Sequence, residues 1–297
     1  MNEAQPIRNV SDTALWVAIY RAMESERKDA LFHDPYARRL GGQRGEAIAA
    51  SMGGKSMNWP IVVRTVVLDE IVLRCVQQGA ATVLNLAAGL DTRPYRLDLP
   101  STVRWLHVDL PDMIEYFRSG MADANPTCAL EFIAADLREA DARRVVFERA
   151  AAHGPVLVIT EGLLIYLESE QVVDLACDLR RAGTRWWLTD LASPRLLRLM
   201  ERRWQPKLTA GNAPFRFGPA EGTAFFNPFG WRETEFRSTW TEALRLKRTM
   251  PLAWLWHALG LLQPGQRREA MRRMYAVVLL ESEMESAIDN RELERAA

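Results

Sequence analysis

The sequence predicts a doubly wound α/β domain with one mostly parallel, seven-stranded sheet, and three observations carry that prediction. Five short apolar runs, at residues 82–86, 103–108, 130–134, 156–160 and 186–189, alternate with helical stretches. Strands separated by helices imply right-handed crossovers and a parallel sheet. The runs are nearly continuous in apolar character, as expected where helices cover both faces. Two further strand candidates, 231–236 and 275–280, bring the sheet to seven. A length of 297 residues suits one such domain with insertions.

The elements follow in order. Residues 1–58 read as short helices forming a lid. Ser11 and Asp12 can cap a segment in which Leu15, Ile19, Ala22 and Met23 recur at helical spacing. A second helix is expected from Asp34-Pro35, since Asp caps well and Pro fits the first turn, and Gly41-Gly42 is expected to stop it within two turns. The cofactor-binding core, 59–192, opens with a longer helix at Asn58-Trp59-Pro60. That helix carries Ile61, Val62, Thr65, Leu68, Val72 and Val76 on one broad face and ends at Gly79. After Asp190, basic helical sequence gives way to a stretch punctuated by proline and glycine. Residues 193–230 are therefore expected to be an insertion capping the substrate. Residues 231–284 supply the last strands and a helix. Trp240, Trp254 and Trp256 are expected to be core or dimer contacts, and the charged tail after Ser282 is expected to fray.

Bulk composition narrows the function classes. The content is 48% hydrophobic and 26% charged, as in an ordinary globular enzyme. Lys+Arg and Asp+Glu both total 38, which gives no reason to expect nucleic acid or an anionic membrane as partner. Cys75, Cys128 and Cys177 have no metal-ligand spacing, so no metal is expected and a reducing compartment is favoured. The N-terminus lacks a signal-peptide plan and no run of about 18 apolar residues occurs, so the expectation is cytoplasmic. The expected partner is a small-molecule substrate, with the chain a monomer or homodimer.

In an open parallel sheet, ligands sit outside the carboxyl ends of the strands. The first strand leads into Ala87-Ala88-Gly89-Leu90-Asp91-Thr92, a small-residue turn that lets backbone approach a ligand. The second ends at Asp109-Leu110, twenty residues beyond Gly89, where a carboxylate can accept both hydrogen bonds of a ribose diol. The third leads to Asp136-Leu137, an acid for an exocyclic amine and an apolar face for a ring. The fourth leads to Glu161-Gly162. Any one such acid is more often a loop residue than a ligand contact, but acids after three successive strands form a pattern. It fits a nucleoside without a diphosphate, because G-x-G-x-x-G is missing and Asp91 would repel a phosphate.

Five motifs together resemble the leucine carboxyl methyltransferase-like group, including its bacterial S-adenosylmethionine-dependent and polyketide O-methyltransferases. They are Arg64-Thr65-Val66-Val67-Leu68-Asp69, the run from Asn85 to Leu97, Val108-Asp109-Leu110-Pro111, Ala135-Asp136-Leu137-Arg138, and the run from Thr160 to Leu167. The resemblance implies a class I methyltransferase fold, S-adenosylmethionine as cofactor, and O-methyl transfer. It implies that Arg64 holds the methionine carboxylate, a task that suits a bidentate guanidinium. Ala88 and Gly89 would line the methionine moiety, Asp109 and Leu110 the ribose, Asp136 and Leu137 the adenine. Glu161 and Gly162 would lie near the cofactor's amino group, and Tyr166 near the transferred methyl. Ala87 departs from the family, where glycine is common.

Methyl transfer from a sulfonium is an in-line displacement, so a carboxylate acceptor needs alignment and dryness more than acid–base machinery. A phenol would need a base. His107 sits in a strand and His33, His153 and His257 lie outside the motifs, so no catalytic residue is assigned and a small-molecule carboxylate, of a metabolite or polyketide, is the expected acceptor. Tyr20 and Arg21 in the lid are candidate substrate contacts with Tyr166, joined by Trp16, Trp204, Arg216 and Phe217. The alternatives are a phenolic O-methyltransferase, a non-catalytic S-adenosylmethionine-binding module, a nicotinamide oxidoreductase and a protein-terminus methyltransferase.

Overall fold

The computed structural model describes residues 11–210, 214–250, 252, 253, 255 and 263–283, without the side chains of 55, 56 and 203–210. Trp254, Trp256, His257, the side chain of Trp204 and most of the tail after Ser282 lie outside the described residues. The strands are β1 (Thr82–Leu86), β2 (Arg104–Asp109), β3 (Ala129–Ala134), β4 (Val156–Thr160), β5 (Trp186–Ala192), β6 (Trp231–Ser238) and β7 (Tyr275–Ser282). They form one seven-stranded sheet in the order β3-β2-β1-β4-β5-β7-β6. The first five are parallel, with Leu84 beside both Leu106 and Val158. β7 enters antiparallel between β5 and β6. This is the doubly wound, mostly parallel sheet expected, with the order reversing at β1/β4.

The helices are α1 (Asp12–Ser25), α2 (Ala37–Ser51), α3 (Trp59–Gln77), α4 (Arg93–Arg96), α5 (Pro111–Gly120), α6 (Ala140–Ala151), α7 (Ser169–Arg181), α8 (Pro194–Ala210), α9 (Thr239–Arg245) and α10 (Gly265–Arg272). Every residue of β1, β4 and β5 is buried. Alternation divides them between two cores. Leu84, Leu86 and Val158 pack with Phe147 of α6 and Leu175 and Leu179 of α7, together with Trp187, Phe226 and Trp231. Val83, Leu157, Ile159 and Leu188 pack on the opposite face against Val67, Leu68, Ile71 and Val72 of α3. The continuous apolar character of these strands thus has its cause in two covered faces.

The lid differs from expectation at Gly41-Gly42. Asp34 does cap the segment, its Oδ1 accepting from the backbone N–H groups of Tyr36 and Ala37 at 3.2 and 3.0 Å. The helix is not stopped, however: it kinks at Gly42 (φ 57°, ψ −172°) and runs on to Ser51. The glycines serve packing. A Cβ on Gly41 would lie 2.5 Å from Ile19 Cδ1, and one on Gly45 would lie 2.8 Å from the Leu15 carbonyl oxygen. Both bring α2 against α1. Among the described residues no helix is long and apolar enough to cross a membrane.

Candidate functional site

The carboxyl ends of the parallel strands open into a cavity of about 1390 Å³, walled on the other sides by α1, the start of α3, and segments after β5. The turn after β1 forms its floor. Ala87 and Gly89 both take left-handed backbone, φ +49° and +54°. At Ala87 that conformation costs an L-residue roughly 1–2 kcal/mol, so the departure from glycine keeps the turn and stores strain in it. A Cβ on Gly89 would lie 3.1 Å from that of Ala14, so α1 rests directly on the turn.

Asp109 holds this turn from the end of β2. Its Oδ2 accepts the Gly89 N–H and its Oδ1 the Leu110 N–H, each at 2.7 Å. Burial raises the Asp109 carboxyl above its ordinary value against those two bonds, which oppose it. His107 supports the turn from beneath, Nε2–H donating to the Gly89 carbonyl at 3.2 Å and the ring stacking on Phe117 with centroids 4.6 Å apart. Burial pushes the imidazole down to about 4, so it is neutral near pH 7.

Beside the turn lies a chain of buried ion pairs. Arg64, from α3, approaches Glu161 through Nε at 2.9 Å and Asp190 through Nη1 at 3.3 Å. Arg93 reaches Asp69 at 2.7 Å and both Asp91 and Glu161 at 2.8 Å, and Arg96 shares Asp69 at 2.6 Å. Three guanidiniums thus face four carboxylates, leaving one formal negative charge. Burial would raise the Glu161 carboxyl, but Arg93 and Arg64 outweigh it and hold the group at about 2. Tyr275 joins the chain from β7, its hydroxyl donating to Asp190 Oδ2 at 2.8 Å and accepting from Arg64 Nη1 at 3.2 Å.

Beyond β3, Asp136 and Leu137 line the cavity. The Asp136 carboxylate is clasped by Arg138, whose Nε lies 3.0 Å from Oδ1. Above, Tyr166 stands on a 3-10 turn, Leu164–Tyr166, with its ring 5.7 Å from Phe215. The backbone N–H groups of Arg216 and Phe217 both donate to the Ile165 carbonyl, at 2.7 and 3.2 Å, tying the 193–230 segment to this turn.

The family enters on these features. Residues 14–179, more than half the chain, match the model of the leucine carboxyl methyltransferase family. A protein of Parafrankia sp. named "Putative S-adenosyl-L-methionine-dependent methyltransferase" is 33% identical over 258 residues, covering 82% of this chain and 83% of its own. The chain belongs to the leucine carboxyl methyltransferase family. Its resemblance to that family in the five motifs is thereby confirmed, and S-adenosylmethionine is the family's cofactor. A Mycobacteroides abscessus protein of the same name is 34% identical over 198 residues, 60% of this chain and 64% of its own. Among solved structures, a DUF574 family protein from Streptomyces avermitilis superposes with TM-score 0.55 at 13% identity, covering 89% of this chain and 96% of that one. A protein from Thermobifida fusca described as a "putative methyltransferase" superposes with TM-score 0.54 at 19% identity, covering 83% of this chain and 92% of that one. Both show the fold.

Of the family positions, the structure brings Arg64, Ala88, Gly89, Asp109, Leu110, Asp136, Leu137, Glu161, Gly162 and Tyr166 to one cavity. Tyr20 is not on its wall: the ring is fully buried with Trp16 and Ile19 in the cluster that joins the N-terminal helices to Ala192, Leu197 and Phe215, because its helical position turns it inward. Arg21 does line the cavity but is engaged as a latch. Its Nε donates to Asp34 at 2.9 Å and its Nη2 to the Leu90 carbonyl at 2.5 Å, fastening α1 to the turn. Phe217 is buried in the core, whereas Arg216 lines the cavity, as Trp16 does, and is paired with Glu168. Trp240, expected in the core or a dimer contact, instead lines the cavity, edge-on to Trp59 with centroids 6.3 Å apart. Asp190 and Tyr275 went unassigned. Asp190 carried the same signal as the other acids, a carboxylate near the carboxyl end of a strand, whereas Tyr275 carried none.

Proposed function

We propose that this family member transfers the methyl group of S-adenosylmethionine to a carboxylate oxygen of a small molecule with an apolar body. The observation that carries the cofactor half is the joining, on one cavity wall, of Asp109 and the Arg64–Glu161 ion-pair chain with its single excess negative charge. The donor set fits. Arg64 Nη2 has no hydrogen bond to any described residue and would hold the amino-acid carboxylate by a charge-assisted hydrogen bond. Glu161, ionised across the neutral range, would face the ammonium. Each Asp109 oxygen accepts one N–H and keeps a lone pair for a ribose hydroxyl. The Asp136 carboxylate and Leu137 would hold the adenine.

The cofactor, when bound, supplies an electrophilic methyl on a sulfonium. The protein aligns the acceptor and keeps water out. Trp16, Ile165, Tyr166 and Phe215 give the acceptor side an apolar wall. Among the described lining residues there is no histidine, and burial raises the Tyr166 hydroxyl, keeping it protonated. Those facts support an acceptor that arrives already ionised, a carboxylate.

Purified protein with methyl-labelled S-adenosylmethionine should convert apolar carboxylic acids to alkali-labile methyl esters, at rates flat with pH above the acid's own pKa. Alkali-stable ethers formed from phenols, at rates rising with pH, would replace this reading with the phenolic one.

A further inference from the structure

Arg64 is a long side chain, and a single carboxylate partner would leave its guanidinium free to swing. Two strands outside the family-matched segment, which ends at residue 179, prevent that. In the antiparallel pair β5–β7, Tyr275 stands opposite Ala192, so it shares a face with Asp190, two residues earlier on β5. Their side chains meet there, hydroxyl to Oδ2 at 2.8 Å. Asp190 Oδ1 accepts the Gly162 N–H at 2.6 Å, which ties the carboxylate to the turn after β4. That turn closes on the guanidinium: a Cβ on Gly162 would lie 3.4 Å from Arg64 Nη1. Nη1 is thus hydrogen-bonded to Asp190 and Tyr275, and Nε faces Glu161 at ion-pair distance without a hydrogen bond, which leaves Nη2 with no hydrogen bond to a described residue.

We infer that Tyr275 and Asp190 are positioning residues that fix the Arg64 guanidinium with its Nη2 edge presented to the amino-acid carboxylate of the cofactor. The inference rests on the proposed cofactor reading and adds to it residues of the C-terminal strand pair. Tyr275 suits the task because burial keeps its hydroxyl protonated, so it donates to Asp190 and accepts from Arg64 at any neutral pH. The pair acts on one portion of the ligand only, since the proposed nucleoside contacts stand elsewhere, Asp109 at the end of β2 and Leu137 in the turn after β3.

Two ligands that share the nucleoside separate this role from a merely structural one. S-adenosylhomocysteine carries the amino-acid carboxylate; 5′-methylthioadenosine lacks it. Calorimetric titration of Tyr275→Phe should show S-adenosylhomocysteine weakened about tenfold, as expected for loss of one hydrogen bond to a charged group. Binding of 5′-methylthioadenosine should stay at the wild-type value. Asp190→Asn keeps the shape of the side chain and should give the same split, which covers the case in which the phenylalanine variant misfolds. Equal losses for both ligands would make the pair structural, and undiminished S-adenosylhomocysteine binding in both variants would overturn the inference outright. A wild-type protein that binds neither ligand overturns the cofactor reading, and the role of the pair with it.

Discussion

His107 is an ionisable side chain with no place for a second proton. It lies fully buried between Phe117 and Phe132, with Nε2 committed to the Gly89 carbonyl. The folded value of about 4 stands below the ordinary 6.5, so between those pH values the unfolded chain binds the extra proton. The resulting stability is fully present above pH 6.5 and is lost as pH falls toward 4, by at most ~3 kcal/mol. Glu161 acts in the same direction at lower pH, its contribution present above the ordinary 4.5 and lost toward 2. Asp109 works against both, because its raised carboxyl takes up a proton first in the folded state. Urea unfolding followed across pH should therefore show stability falling below pH 6.5, and His107→Gln should flatten the curve between 6.5 and 4.5. A wild-type curve already flat there would contradict a neutral, buried imidazole. At this scale the acids were legible because each follows a strand whose end must face the ligand side of the sheet. Of their guanidinium partners, Arg64 was legible only through the family motif and Arg93 was given no role, since Arg93 and Asp69 meet only when α3 and α4 pack together.

At the scale of elements, the lid shows where local rules mislead. Gly41-Gly42 has the chemistry of a helix stop, yet α2 continues because its contact with α1 stabilises the turns beyond the kink. Gly45 sits against the backbone of α1 at Leu15. Gly45→Ala puts a methyl 2.8 Å from the Leu15 carbonyl oxygen, a backbone atom that cannot step aside cheaply. The substitution should cost about 1–3 kcal/mol, although alanine is the better helix former. Thermal denaturation checks the sign: a rise in Tm would mean that propensity outweighs packing and that the lid is looser than described. Trp240 shows the complementary failure. Its helical surroundings suggested core, and only the path of the chain from β6 into α9 brings it to the cavity beside Trp59. Spacing along one helix cannot report which neighbouring element the helix meets.

For the whole molecule, the sheet was legible because its pattern is redundant: five apolar runs, each followed by a helical stretch, admit little besides a parallel sheet. The insertion of β7 between β5 and β6 was not legible, because the strand pairs only with residues far from it in sequence. That topology matters for the site, since it carries Tyr275 to Asp190 and Arg64. The proposed cofactor site joins these scales: one rim of one sheet would supply the residues for the ribose, adenine and methionine portions of S-adenosylmethionine. Calorimetric titration with S-adenosylhomocysteine tests it most directly, with Asp109→Ala as the matched variant. Wild-type protein should bind in the micromolar range, and the variant at least about tenfold more weakly, as for loss of hydrogen bonds to a charged group. Well-folded wild-type protein that takes up no ligand, or a variant that binds as tightly, would contradict it.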